Sequence, residues 1–485
     1  MNPLKPGGVS ASGLLALVLA LAVTPLADAQ VGRLSLPIHG LGLDSAAARA
    51  SRRASTRLAS DTTPPQASAP FAFADFTWLQ GNPRQNTSVL DSKYFTGEFR
   101  LDASFIGDFN HPADHTLVGT SESGRTGEVQ VQQLGIGGDV HTEHARGRLM
   151  TQFGMYSTMT PRNDASPARG QWDLANAYRY ISEAYGGYHW NTMHGINLDA
   201  GIFMSYVGLF GYYNFDNWAY QPSYVSSNTP WFFNGLRLQI FPSDKLKIEP
   251  WLVNGWQSYG MFNGTPGLGL QVLWRPNGAV SVLSNSYYGH DWLGIPDRMR
   301  VHSDNSLQVK YLDRPAASLS KAAFSLTVDA GCESGGGVSC ASSSAGSPAQ
   351  NFLGFMLYNR LWFHHDLYGL TLGGGYMNNP GRYLVLMPPI NGATAFSGTT
   401  YLTENPGDPF HAWDASLTFD YMPDQFVTFR TEFDHRYASV PYFAGPGGVT
   451  PPGGNTGAPG STVPGFTPDL RQTENRINLA VLVKL

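Results

Sequence analysis

Residues 95–105 read FTGEFRLDASF, and the alternation in this stretch decides the fold. Phe95, Gly97, Phe99, Leu101, Ala103 and Phe105 alternate with Thr96, Glu98, Arg100, Asp102 and Ser104. A helix needs residues three and four apart to be of one kind, and here those two positions are of opposite kinds. A period of two over about eleven residues is instead the length of a tilted membrane strand. A charge on the lipid face costs up to ~2–4 kcal/mol at the bilayer midplane, so the Glu98, Arg100, Asp102 face is expected to be the wet one.

The same alternation recurs along the chain. Leu236, Leu238 and Ile240 oppose Arg237 and Gln239, and Leu268, Leu270, Val272 and Trp274 oppose Gly269, Gln271 and Arg275. Trp413, Ala415, Leu417, Phe419 and Tyr421 oppose Asp414, Ser416, Thr418 and Asp420. Val427, Phe429 and Phe433 oppose Arg430, Glu432, Asp434 and Arg436, and the chain finishes with Ile477, Leu479, Val481, Val483 and Leu485 on one face. About sixteen strands are expected, starting near residues 95, 127, 147, 178, 195, 231, 246, 267, 279, 300, 321, 351, 367, 411, 425 and 472.

Connection lengths give an independent check. Tight turns such as Pro242-Ser243-Asp244-Lys245, Pro276-Asn277-Gly278, His364-His365-Asp366 and Pro423-Asp424-Gln425 follow even-numbered strands. Long connections, up to those around 378–410 and 438–470, follow odd-numbered ones. Short periplasmic turns alternating with long outer loops predict an all-β, antiparallel up-and-down transmembrane barrel. A soluble propeller or sandwich also buries one face of each strand, but it does not impose two alternating classes of loop length. Three places strain the pattern. Pro250 should delete a ladder bond and force a bulge; Gly373 to Gly375 leave a register loosely specified; the strand near Val129 to Ile136 changes phase midway.

Upstream, Lys5, the apolar run Leu14 to Val23 and Ala27-Asp28-Ala29 read as an export signal over residues 1–29, cleaved before Gln30. Residues 30–76, rich in Ala, Ser, Arg and Pro, are expected to be a disordered periplasmic segment, and 77–485 the barrel. The expected location is therefore the bacterial outer membrane. A formal net charge of −5 argues against nucleic acid as a partner. Charged residues are 14% and aromatic ones 13%, a ratio that suits a surface facing lipid. Cys332 and Cys340 are expected to pair as a disulfide in an oxidising compartment, clipping a short loop.

The stretches NTPWFFNGLRLQIFPSDKLKIEPWLVNGWQSYG (228–260), GIFMSYVGLFGYYNFDNW (201–218) and GLGLQVLWRP (267–276) resemble the family of OmpL-like β-barrel porins. The resemblance runs from about Thr77 to the C-terminus. It implies an outer-membrane barrel forming a diffusion channel, with no catalytic residues to transfer. Leu485 departs from the pattern, because such strands commonly end on an aromatic residue read by the outer-membrane assembly machinery.

Function in such a barrel resides in its lumen. The expected pore-lining residues are Glu98, Arg100, Asp102, Arg237, Arg430, Glu432, Asp434, Arg436, Glu474 and Arg476. Their mixed signs would either orient polar solutes or simply pair and solvate the wall. The third long loop, about Gly208 to Pro230, carries Tyr212, Tyr213, Phe215, Asp216, Trp218 and Tyr220. So many aromatics need packing, and folding inward as a constriction supplies it; packing on neighbouring loops or in a subunit contact would too. Trp190, Trp256, Trp274, Trp362, Trp413 and Tyr437 are expected in interfacial girdles. No elbow, phosphate loop or zinc motif is present in the sequence, and no cofactor or metal is expected. Passive diffusion of small hydrophilic solutes or ions is the leading expectation. A non-conducting barrel serving as adhesin or anchor comes next, then an outer-membrane hydrolase. Outer-membrane lipid is the surrounding partner, and a homo-oligomer is compatible with all three.

Overall fold

The computed structural model describes residues 69–485 except 82–87, 121, 165, 167–169, 262, 293, 342–348, 382 and 384–408. The expected signal, and the segment after it as far as residue 68, lie outside the described residues. So does most of the long connection around 378–410.

Sixteen strands form one closed antiparallel barrel. They are β1 (Phe95–Asp108), β2 (Val129–His141), β3 (Ala145–Thr151), β4 (Ile181–Trp190), β5 (Ile196–Met204), β6 (Phe232–Ser243), β7 (Leu246–Val253) and β8 (Gly267–Asn277). The other half comprises β9 (Val280–Gly289), β10 (Met299–Asp313), β11 (Leu319–Ser334), β12 (Asn351–Phe363), β13 (Tyr368–Asn379), β14 (Phe410–Tyr421), β15 (Val427–Ala438) and β16 (Thr473–Lys484). Each strand pairs with its sequence neighbours, and β1 pairs with β16 from Arg100–Lys484 to Asp108–Arg476, so no edge is left to face lipid. Phe99 and Leu485 extend this seam with a reciprocal pair of backbone bonds at 2.9 and 3.2 Å. A two-residue ribbon, Phe443–Ala444 with Leu470–Arg471, stands apart within the β15–β16 loop.

The expected starts fall at or beside the observed ones; the largest offset is at Ile181, expected near 178. The strand pleat explains the burial pattern. On β14 the sequence Phe410–Tyr421 alternates buried and exposed without a break. Leu353, Phe355, Leu357, Leu372, Leu417, Phe419, Phe433 and Leu479 form part of an exposed apolar belt outside the barrel. The opposite face turns inward and is buried.

The three strained places resolve differently. At β2 the register shifts between Asp102 and Ala103. Gln132 and Gln133 are both buried, so one extra residue accounts for the change of phase. Pro250 does not force a bulge. It pairs in register with Leu270 of β8. Towards β6, Arg237–Trp251 and Ile240–Ile248 keep one register on either side of it, and the shift lies further on, between Ile240 and Ser243. A missing N–H removes one bond without adding a residue. Gly373 to Gly375 pair continuously with Tyr358, Leu357 and Met356. Their role is steric: a Cβ on Gly373 would stand 2.0 Å from the Tyr358 ring, and one on Gly375 2.4 Å from Ser223 Oγ.

Of the expected girdle, Trp190, Trp274 and Trp413 are exposed, but Trp256 and Trp362 are buried. Trp362 meets Trp218 edge-on at 5.8 Å, and Trp256 packs on Tyr287 at 4.9 Å. Both turn inward because the interior offers apolar partners. Cys332 and Cys340 form a disulfide with Cα atoms 5.3 Å apart.

Candidate functional site

The lumen holds two inserted pieces of chain, and the inward charges are organised around them. The first is the β5–β6 loop, residues 205–231. Its neck is closed where Ser205 N donates to Trp231 O at 3.0 Å. Asn217 staples the tip by accepting from Gly211 N at 2.8 Å and donating to Gly211 O at 3.0 Å. Ser223 caps the short helix Tyr224–Ser227, and Asn228 closes it by donating to Tyr224 O at 2.7 Å. Polar backbone inside a barrel must find partners, and this loop supplies many of its own.

The barrel wall supplies others. Asp414 Oδ2 accepts from Ser223 Oγ at 2.7 Å and Tyr224 N at 2.9 Å. Glu432 Oε1 accepts from Gln221 N at 2.6 Å, and Glu432 also accepts from Tyr220 N. Tyr220 donates its hydroxyl to Asp102 at 2.9 Å, and Arg100 pairs with Asp216 at 2.7 Å. Charge-assisted bonds of this kind are about twice as strong as neutral ones. The aromatics fill the remaining space. Phe210 packs on Tyr358 at 4.8 Å and Tyr212 on Tyr156 at 4.9 Å. Arg100 lies over Tyr213 at 4.1 Å, and Arg436 over Tyr224 at 4.2 Å.

The second piece is the strap Ala69–Gly81. Ala69, Phe76 and Trp78 are buried, so the packed body begins before Thr77. Gly81 N donates to Asp216 O at 2.8 Å, and Trp218 Nε1 donates to Trp78 O at 3.3 Å. Strap and loop therefore meet inside the barrel.

A carboxylate between two guanidiniums links both pieces to the wall. Asp420 accepts from Arg360 and from Arg430, each at 2.7 Å. Arg360 then donates to Gly81 O at 2.9 Å, and Arg430 to Asn217 O at 3.0 Å. Asp420 fixes the planes of the two arginines, which leaves their other N–H groups aimed at backbone carbonyls.

The residues singled out from the sequence fall into three groups. Arg100, Asp102, Arg430 and Glu432 face inward and hold the loop. Glu98 joins Arg100 and Arg148, the latter at 2.9 Å. Asp434, Arg436, Glu474 and Arg476 form a second cluster. There Asn478 donates to Asp434 at 2.6 Å, Arg436 to Gly119 O at 2.9 Å, and Glu474 lies 3.3 Å from Arg476. Arg237 stands apart from both, paired with Asp199 at 2.8 Å and stacked over Phe203 at 4.6 Å. Tyr212, Tyr213, Phe215, Asp216, Trp218 and Tyr220 are all buried inside the barrel.

Sequence reading placed Asp414 and Asp420 on the polar face of their strand without giving them a role, and it missed Arg360 and the strap. One signal was present: along β12, Phe352, Met356, Tyr358 and Trp362 are apolar on the inward face while Leu353, Phe355 and Leu357 are apolar outside. So much apolar surface on the inward face beside Arg360 calls for packing partners inside the barrel. His364, His365 and Asp366 occupy a left-handed turn, with Asp366 bonded to Lys321 at 2.6 Å. Among the described residues no group of His, Cys, Asp and Glu could hold a metal ion.

Several solved outer-membrane proteins are similar in shape at low identity. OmpT of Vibrio cholerae shares 10% identity over 82% of this chain and 100% of its own, with a TM-score of 0.43. An anion-selective porin from Comamonas acidovorans shares 9% over 81% and 99%, with a TM-score of 0.43. Pseudomonas putida OprB shares 11% over 81% and 94%, with a TM-score of 0.47. No curated protein matches the sequence. The family model described as "Putative beta-barrel porin-2, OmpL-like" matches residues 95–461. That match covers more than half of the chain, from the first strand into the last long loop, and the chain belongs to this family of outer-membrane β-barrel porins.

Proposed function

We propose that this porin-family barrel passes small hydrophilic solutes by passive diffusion across the bacterial outer membrane. The observation that carries the reading is the division of the two faces. The outside is an exposed apolar belt, while the inside carries ionisable side chains on most strands, including Arg100, Arg237, Asp304, Arg360, Asp420 and Arg430. A barrel with no aqueous task has no need of so many charges, since each buried ion costs several kcal/mol before pairing. In this reading the β5–β6 loop is the constriction, and the charges around it set which solutes cross. The chain reaches the membrane through cleavage of the signal over residues 1–29.

A second reading is favoured by the occupied lumen: a non-conducting barrel whose long loops act as an adhesin or anchor. Single-channel recording of protein purified from outer membranes separates the two. Stepwise currents in a planar lipid bilayer are expected. Protein that inserts and is heat-modifiable but passes no current would refute the channel.

A further inference from the structure

The strap Ala69–Gly81 enters from the end that carries the short turns, the periplasmic end of bacterial barrels. Phe71 N donates to Asp244 O at 2.6 Å in the β6–β7 turn. The guanidinium of Arg275 lies over the Phe71 and Phe76 rings at 4.9 and 4.6 Å. Trp78 Nε1 donates to Gly278 O at 3.1 Å in the β8–β9 turn. A few residues later Gly81 O accepts from Arg360 on β12, and Gly81 N reaches the β5–β6 loop. The strap thus leaves the β6–β9 rim and crosses the bore towards the opposite wall.

It is held differently from the loop it meets. The loop is tied by Asp102, Asp414, Glu432 and the Arg100–Asp216 pair. The strap carries a single ionisable residue, Asp75, whose carboxylate accepts from the Thr77 amide within the strap at 2.9 Å. Aromatic burial, backbone bonds and the guanidiniums of Arg275 and Arg360 hold it, with no ion pair of its own to the wall among the described residues. Its residues Ala74 and Asp75 border a cleft of about 840 Å³ that Lys310, Asp313, Lys321 and Asp366 also line. The displaceable piece has room beside it.

We propose that Ala69–Gly81 is an autoinhibitory plug that closes the periplasmic mouth at rest and leaves the β5–β6 loop when the channel conducts. The proposal rests on the channel reading above. Trp78 is its latch, bonded at once to the β8–β9 turn and to Trp218. The constriction loop stays in place and the strap moves.

Recordings on three full-chain proteins test this: the native protein, Trp78→Ala, and the pair Ala74→Cys with Gly278→Cys. A Cβ on Gly278 would lie 2.9 Å from Ala74 Cβ, short of the ~3.5–4.5 Å between Cβ atoms in a disulfide, so the strap must ease off the turn by up to about 1 Å for the bridge to close. The native protein should open in stepwise but brief events separated by long closed intervals, with Trp78→Ala open several-fold more of the time. The oxidised cysteine pair should stay low until a reductant restores opening. The native protein, whose own Cys332–Cys340 bridge the same reductant breaks, should not respond. An oxidised pair, its bridge verified by gel mobility, that conducts like the native protein would overturn the plug and leave the channel standing. Silence from all three, reduced or oxidised, would overturn the channel and the plug with it. Should Trp78→Ala fail to fold, the cysteine pair decides alone.

Discussion

Asp420 is fully buried between Arg360 and Arg430, and neither arginine is exposed. Removing one partner from such a group leaves buried charge uncompensated, at ~3–5 kcal/mol. Asp420→Asn should therefore lower the temperature at which the folded band converts to the unfolded one on a gel. Asp420→Glu, which retains the charge, should lower it less. The glycines of β13 make a second prediction. Gly375→Ala places a methyl 2.4 Å from Ser223 Oγ and should push the capped helix off Asp414, costing ~1–3 kcal/mol as overpacking. At this scale the inward direction of Arg430, Glu432 and Arg100 was legible, because a pleat turns alternate side chains to opposite faces. Their partners were not. Arg360 finds Gly81, 279 residues away in sequence, and no local pattern encodes that meeting.

Among elements, β12 and the β5–β6 loop explain each other. The loop brings Phe210, Trp218 and Val225 inward, and β12 answers with Tyr358, Trp362 and Gly354. The outer loops have a clamp of their own. Asp114, between β1 and β2, accepts from Val449 N of the β15–β16 loop at 2.9 Å and from Thr116 N at 3.2 Å. Burial alone would raise its carboxyl, but hydrogen bonds from Thr450, Val449 and Thr116 outweigh that and hold it below the ordinary value. A depressed folded-state value means the clamp contributes fully above the unfolded pKa, about 3.9, and fades as pH falls through the folded one. Pepsin cleavage within residues 445–469 should accordingly rise on acidification below that range. Asp114→Asn should leave the loop equally open on both sides of it. A native loop protected to the same degree throughout would contradict the clamp.

For the whole molecule, closure matters more than any single clip. The Cys332–Cys340 bridge closes a loop with a sequence separation of 8, for which loop entropy allows ~2.5 kcal/mol. Its effect is local to the β11–β12 loop, so Cys332→Ser with Cys340→Ser should shift the heat-modification temperature little while exposing that loop to protease. The barrel itself was determined by the sequence. Alternation fixed which face meets lipid, alternating turn lengths fixed the up-and-down order, and together they located all sixteen strands, because strand period and turn chemistry are local properties. The tertiary structure alone decided what occupies the bore. Whether an inward aromatic loop and the Ala69–Gly81 strap fill the lumen depends on contacts between residues far apart in the chain. The energy of those contacts appears only once the wall has closed around them.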